Sequence, residues 1–274
     1  MIFAPLVQAS SKYLAFAFPI VQIMWARSAG HTLWMVAVFW RSHGVSMFRT
    51  HHPGIQLARS CSLTACSALW LLAIPSVSLA SAGVIMFTTP MFVALLSAST
   101  LGERVGAHRW IAIVLGFIGV VVVLRPWTQD VVWEMLLVLL AAISYAVYQL
   151  LTRRVSQSDS AATSAVYAVA VGAVIVTAIL PWHFQLPQPE HIHYWIGFVA
   201  VGFLGGFRHL FMVKAFECAP ASAISPFCYT ELVGITALGL IIFGEIPSFW
   251  TAIGASIIVA SGLYLAKAES ASDA

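Results

Sequence analysis

Long uncharged stretches alternate with short polar connections along this chain. Residues 60–102, 135–152, 160–189 and 246–266 contain no Asp, Glu, Lys or Arg, and residues 218–244 contain only Glu231. A helix crosses the hydrocarbon of a bilayer with about 20 apolar residues, so each stretch is one span or a pair. The 43-residue run divides at Ala73-Ile74-Pro75-Ser76, and the 30-residue run ends in the turn-rich segment from Pro181 to Pro189. The pattern predicts ten helices, at 2–17, 20–40, 57–74, 79–101, 108–124, 131–151, 162–181, 194–215, 220–243 and 248–266. The expected fold class is all-α: a polytopic membrane protein of ten transmembrane helices.

Composition narrows this further. Of 274 residues, 61% are hydrophobic and 8% charged, against roughly 25% charged in an ordinary soluble domain. Ten spans use up the chain and leave no room for a soluble domain. The net charge of +3 comes from scattered residues, not the clustered Lys and Arg that a nucleic-acid surface needs. The basic residues instead report orientation. With a cytoplasmic N-terminus, Arg41, Arg49, Arg59, Arg104, Arg109, Arg153, Arg154, Lys214 and Lys267 fall on or beside cytoplasmic connections, and only Arg125 lies outside. Both termini are therefore expected in the cytoplasm, in the inner (plasma) membrane. No basic residue precedes the first apolar run, so that run reads as a retained, short first span instead of a signal peptide.

An internal repeat is visible. Leu101-Gly102-Glu103 before Trp110 matches Phe243-Gly244-Glu245 before Trp250, with the Gly-Glu pairs 142 residues apart, and Arg125 matches Lys267 after the fifth helix of each half. The expected units are 1–126 and 127–268, with a polar tail at 269–274. Five spans is an odd number, so the second unit must enter the membrane inverted, with a shared cleft near the midplane. Pro90 and Pro226 both fall in the fourth span of their unit, where a missing N–H bends a helix. Gly202, Gly205, Gly206, Gly254, Ala255, Ser261 and Gly262 offer small faces for close helix contact.

Glu231 stands thirteen residues from either end of its otherwise uncharged stretch. A charge at that depth costs about 2.5–3.5 kcal/mol on insertion scales. It must face a cavity, pair with a cation or take up a proton, which makes Glu231 the candidate for proton coupling; an ion pair with Arg27 or Arg208 that only fixes packing is the plainer alternative. Arg27 lies eight residues beyond Pro19, about 12 Å deep, and is a candidate for holding a polar or anionic group. Arg208 is nearer the cytoplasmic end, within reach of snorkelling. Lys12 reads as an interface residue at the outer end of the first helix. Mid-span aromatic and amide residues, Trp70, Phe87, Tyr145, Tyr148, Phe207, Phe227 and Tyr229 with Gln22 and Gln149, are candidates to line a cavity for a flat, uncharged organic molecule. Each of them taken alone reads first as a lipid-facing or packed-core residue; it is the group that suggests a cavity.

Neither metal nor cofactor is expected. The pairs His51-His52 and His191-Ile192-His193 lie on predicted loops without a supporting ligand set. The four cysteines form no Cys-x-x-Cys pair, and no Walker loop, His-Glu-x-x-His or Gly-x-Ser-x-Gly occurs. An enzyme is not expected; an intramembrane enzyme using Glu231 is the remote alternative. The expected partners are the lipid bilayer and a small-molecule substrate, with a homodimer left open and nucleic acid excluded.

Pro19-Ile20-Val21-Gln22 leading to Trp25-Ala26-Arg27, Pro90 through Leu101-Gly102-Glu103-Arg104, Trp110 to Pro126, and Ala219-Pro220-Ala221-Ser222 through Pro226 to Gly244-Glu245 together resemble the drug/metabolite transporter superfamily, in its ten-span members with two EamA-type halves. The resemblance covers nearly the whole chain. The start of helix two and the loop His52-Pro53-Gly54-Ile55-Gln56-Leu57-Ala58-Arg59 resemble a subgroup that includes bacterial riboflavin importers and S-adenosylmethionine carriers. With eleven residues before Lys12, the first helix is shorter than in that subgroup, so the start is truncated or the helix incomplete. The resemblance implies a secondary transporter of a small organic metabolite working by alternating access, with riboflavin or a similar flat aromatic as cargo. The alternative is an exporter or exchanger of amino acids, S-adenosylmethionine or drugs.

Overall fold

The computed structural model describes residues 2–101, 106–128, 132–156, 158–188, 190–218 and 230–272, with side chains described except at 98–101, 209, 212–218, 266 and 268–272. Among these residues the regular structure is helical throughout: α1 (Phe3–Ala15), α2 (Ile20–His43), α3 (Pro53–Ala73), α4 (Leu79–Met86), α5 (Thr89–Leu101), α6 (Ala107–Leu124), α7 (Glu134–Val155), α8 (Ala161–Ile179), α9 (Ile192–Cys218), α10 (Thr230–Phe243) and α11 (Phe249–Ser272). Five helical segments, Pro53–Ala73, Leu79–Ser97, Ala107–Leu124, Glu134–Val155 and Ala161–Trp182, are long and apolar enough to cross a membrane by themselves. Large apolar side chains such as Val174, Val233 and Ile241 point outward. In water such a surface would drive aggregation; against acyl chains it is the natural exterior of a polytopic membrane protein. Trp127, Trp133, Trp182 and Trp250 retain exposed indole surface near the ends of their helices, the amphipathic position that favours a membrane–water interface.

The fourth span is broken where its sequence demands it. Pro90 has no N–H to donate, and α4 ends at Met86 while α5 begins at Thr89. Two hydroxyls serve carbonyls at the break: Thr89 Oγ1 donates to Met86 O at 2.7 Å and Thr88 Oγ1 to Ile85 O at 2.6 Å. That repair lets a broken helix sit at membrane depth. Pro226 lies outside the described residues. Helix starts are set by serine caps. Ser78, Ser160 and Ser248 each accept from the backbone N–H three residues on, satisfying donors that a helix cannot pair internally.

Counting α4–α5 as one span, and α10 as the described part of the ninth, the helices pack in exchanging pairs. α3 lies on α7 and α1 on α9; α2 on α9 and α3 on α8; α4–α5 on α7 and α1 on α10. Each pair becomes its partner when every span number is shifted by five, while α2 with α8, α6 with α11, and α4 with α10 map onto themselves. Glycines permit the tightest crossings. A Cβ on Gly30 would stand 2.6 Å from Gly202 Cα, and one on Gly202 would stand 2.9 Å from Ala26 O, so α2 and α9 touch backbone to backbone. Between α6 and α11, a Cβ on Gly254 would meet Gly119 O at 2.8 Å, and Ser261 Oγ donates across to Ala112 O at 2.6 Å. Gly202→Val should therefore force two backbones apart, costing about 1–3 kcal/mol of overpacking. The expected result is loss of monodisperse protein on size exclusion in detergent; wild-type yield and melting temperature would contradict the close crossing.

Contacts between connections gather at two opposite ends. At one end Asp159, between α7 and α8, has no exposed side-chain surface. It accepts from Thr50 Oγ1 at 2.5 Å, His51 N at 2.9 Å and Gln56 Nε2 at 2.8 Å, with His51 Nδ1 at 3.2 Å. Beside it, Arg59 is buried, donates to Thr152 Oγ1 at 3.3 Å and to Ser164 O, and lies 5.4 Å over the Tyr148 ring. The His52–Arg59 stretch singled out in the sequence thus ties the α2–α3 connection to α7 and α8. Burial alone pushes the Asp159 carboxyl up, but the hydrogen bonds from His51, Thr50 and Gln56 outweigh it and hold the group below the usual carboxylate range. A depressed folded-state value means the clasp stabilises the fold above the unfolded carboxylate value of about 3.9 and is lost as pH falls through the lower folded one. Asp159→Asn should lower the melting temperature at pH 7, and the difference from wild type should shrink below about pH 4. An equal deficit at both pH values would show that charge is not what holds the clasp.

At the other end the structure departs from the expected role of Lys12. Its ammonium is buried, ion-paired with Glu245, and donates to Val77 O at 2.8 Å; it is not an interfacial snorkeller. Gly244 explains how Glu245 gets there. At φ +67°, a left-handed conformation that glycine adopts without penalty, it ends α10 and turns Glu245 back, so that Glu245 Oε2 also accepts from Leu79 N at 2.8 Å. The matching pair Gly102-Glu103 lies outside the described residues, as do Arg104 and the segment 219–229.

Candidate functional site

Six helices contribute to a polar cluster in the interior. On α10 the Glu231 side chain is 11% exposed. Gln8 of α1 donates from Nε2 to its Oε1 at 2.9 Å, and Arg208 of α9 donates from Nη2 to its Oε2 at 3.2 Å. Tyr145 of α7 lies within electrostatic range of Arg208, Cys66 and Glu231. Arg27 of α2 lies within the same range of Cys66 of α3, Arg208 and Tyr145. Positions along the helices agree: Arg27 is seven residues into α2 and Cys66 seven from the end of α3, each about 10 Å from the helix end. Tyr145, eleven residues into α7, is about 16 Å in.

The cluster has acidic, basic and aromatic walls. Tyr148 stacks on Tyr145 with ring centroids 5.5 Å apart and planes at 18°. Phe207, one residue before Arg208, stacks with Phe3 at 6.0 Å and lies 4.4 Å from Trp34. Arg27, Tyr145, Tyr148, Phe207 and Arg208 are all half-buried. Of the sequence candidates, Glu231, Arg208, Arg27, Tyr145, Tyr148 and Phe207 are thus gathered in one region. Others are placed elsewhere. Gln22 is engaged with the connection between α8 and α9, donating to Gln185 O at 2.8 Å and accepting from Gln185 N at 2.9 Å. Trp70 is in the hydrophobic core, Phe87 packs against that core, and Gln149 is exposed. Phe227 and Tyr229 lie outside the described residues. Gln8, Phe3 and Cys66 were not anticipated: none carries a charge, and only the folded arrangement brings them to the acid and the arginines.

A separate apolar groove of about 460 Å³ runs along α5 and α6, lined by Leu95, Phe117, Trp110 and Trp127 among others. It is lined by no ionisable group and by none of the residues of the polar cluster, so it lies apart from that cluster. Among the described residues no group of three His, Cys, Asp or Glu side chains could hold a metal ion.

The family model for the EamA-like transporter family matches twice, over residues 1–125 and 132–266. The chain belongs to this family. It is 30% identical over 227 residues, covering 83% of this chain and 76% of the other, to a protein of Rickettsia felis called S-adenosylmethionine uptake transporter. It is 31% identical over 203 residues, covering 73% and 66%, to a Vibrio cholerae protein called riboflavin transporter. A solved crystal structure superposes with a TM-score of 0.65 at 19% identity, over 96% of this chain and 94% of that one, a likeness of fold. Membership identifies the chain as a membrane transporter of small metabolites, and the polar cluster lies where helices from both matched segments meet: α1, α2 and α3 from the first, α7, α9 and α10 from the second.

Proposed function

We propose that this EamA-family protein is a secondary carrier of the inner membrane, with both termini cytoplasmic. Its two five-span units, 1–126 and 127–268, run in opposite directions and open their shared cleft alternately to the two sides. The observation that carries the reading is the Gln8–Glu231–Arg208 linkage beside Arg27 and Tyr145, a charged site at mid-depth assembled from both units. Three features support the orientation: the bias of basic residues, the exchanging helix pairs, and the sorting of loop contacts into two ends. In this reading the Asp159 clasp closes the cytoplasmic side, and the Lys12–Glu245 pair with Gln22–Gln185 closes the outer side. Each clasp joins the two units, so each must loosen in turn for cargo to pass.

The cargo is a flat heteroaromatic metabolite. Riboflavin and S-adenosylmethionine, named for relatives of this chain, both present a planar nitrogen heterocycle, and the stacked Tyr145–Tyr148 pair and the Phe3–Phe207 face suit such a ring. Glu231 gives the site a group able to exchange a proton for Arg208, which would couple cargo movement to the proton gradient. Uptake of labelled riboflavin and S-adenosylmethionine into proteoliposomes under an imposed pH gradient tests the proposal. Accumulation of at least one is expected. Failure to move these or any member of a broad metabolite panel, with the protein folded, would overturn it.

A further inference from the structure

Arg27 is anomalous within the cluster. Glu231 has two donors, but the Arg27 guanidinium has no hydrogen-bond acceptor and no carboxylate partner among the described residues; its neighbours within electrostatic range are Cys66, Tyr145 and the second cation, Arg208. The Tyr145 hydroxyl and the Cys66 thiol beside it also make no hydrogen bond among those residues. Arg27 and Tyr145 are both half-buried, whereas Trp34 Nε1 and Arg59 Nε are sealed without a partner. The Glu231 carboxylate is engaged by Gln8 and Arg208, not by Arg27. The sequence supplies no other acid within the central part of any span. An unpaired cation at this depth is expensive, and proteins that retain one generally use it to receive an anion.

We infer that Arg27, with the Tyr145 hydroxyl, is an anion subsite, and that the cargo carries a carboxylate or phosphate which it holds on the outer side of Glu231. The inference rests on the carrier reading and sharpens its substrate class, from any flat heteroaromatic to one bearing an acidic group. The planar guanidinium offers two parallel donors to an oxyanion, the tyrosine adds a third, and the bound anion neutralises Arg27. A cargo with both an acid and a cation would satisfy Arg27 at one end and compete for Glu231 at the other. A neutral flavin would leave Arg27 as it is in the empty protein.

Binding of compounds that differ by one acidic group tests this with full-length protein in detergent. S-adenosylmethionine is compared with its decarboxylated analogue, which tests a carboxylate, and flavin mononucleotide with riboflavin, which tests a phosphate. In at least one pair the acidic member should bind ten-fold or more tightly, and Arg27→Gln should abolish that difference while Arg27→Lys keeps part of it. Because Arg27 makes no bond in the empty protein, Arg27→Gln should also leave the melting temperature unchanged or raise it. Equal affinities within both pairs, a difference that survives Arg27→Gln, or a lowered melting temperature of the empty variant would each overturn the subsite. Transport without an acidic preference would sink the subsite alone. An Arg27-dependent preference in a protein that moves nothing across liposomes would sink the carrier reading and leave the subsite standing; binding of none of the four would sink both.

Discussion

Glu231→Gln is expected to reduce cargo uptake about ten-fold or more while the protein remains folded, because it removes a charge that the cavity needs and the fold does not. The replacement keeps the side-chain shape; its Oε1 can still accept from Arg208 Nη2, and its NH₂ can donate to Gln8 once the Gln8 amide turns to present Oε1. Arg208 is 39% exposed along its side chain, so it can reach polar surroundings when this carboxylate is lost, and the cost to the fold should be below that of breaking a sealed pair. The consequence should fall on the transport cycle, with uptake no longer responding to an imposed pH gradient. Initial rates in proteoliposomes at two gradients, together with the melting temperature, separate the alternatives. Unfolded protein would assign Glu231 to packing, and unchanged gradient-driven uptake would remove it from the site.

The second large effect is expected at Lys12, where the charge is structural. Lys12→Met leaves Glu245 20% exposed with only Leu79 N–H as partner, and breaking a buried pair from one side costs about 3–5 kcal/mol. The melting temperature in detergent should drop sharply. The double variant Lys12→Met with Glu245→Gln should recover much of the loss, since the stranded charge is gone; Phe243, whose ring lies 5.4 Å from the ammonium, leaves an apolar neighbour for the methionine. A double variant no better than the single one would mean that the carboxylate is held by something other than this lysine.

The contrast between these two charges marks what could be read from the sequence. Helix positions were legible because apolar runs long enough to cross a bilayer have few alternatives, and each expected span overlaps a helix that the structure describes. Glu231 was legible because a lone acid in a 27-residue apolar stretch is an energetic exception. Its partners were only half legible. Arg208 carries a charge that stands out within a span, whereas Gln8, 223 residues away and uncharged, gives no signal until α1 is packed against α10. Lys12 was misread for the same reason: near the end of a short helix it looks like a snorkeller, and nothing local reveals that Glu245, 233 positions on, turns back to meet it. The Asp159 clasp was hidden too, as an ordinary loop acid whose donors come from a different connection.

Access to Cys66, which neighbours Arg27, tests the shared cleft most directly. With Cys61, Cys218 and Cys228 replaced by Ser and the protein uniformly oriented in liposomes, a membrane-impermeant methanethiosulfonate should modify Cys66 when added from either face. A transported cargo at saturation should slow both reactions. Modification from one face only, or no protection by a cargo that the same preparation transports, would contradict a single cleft that opens alternately to the two sides.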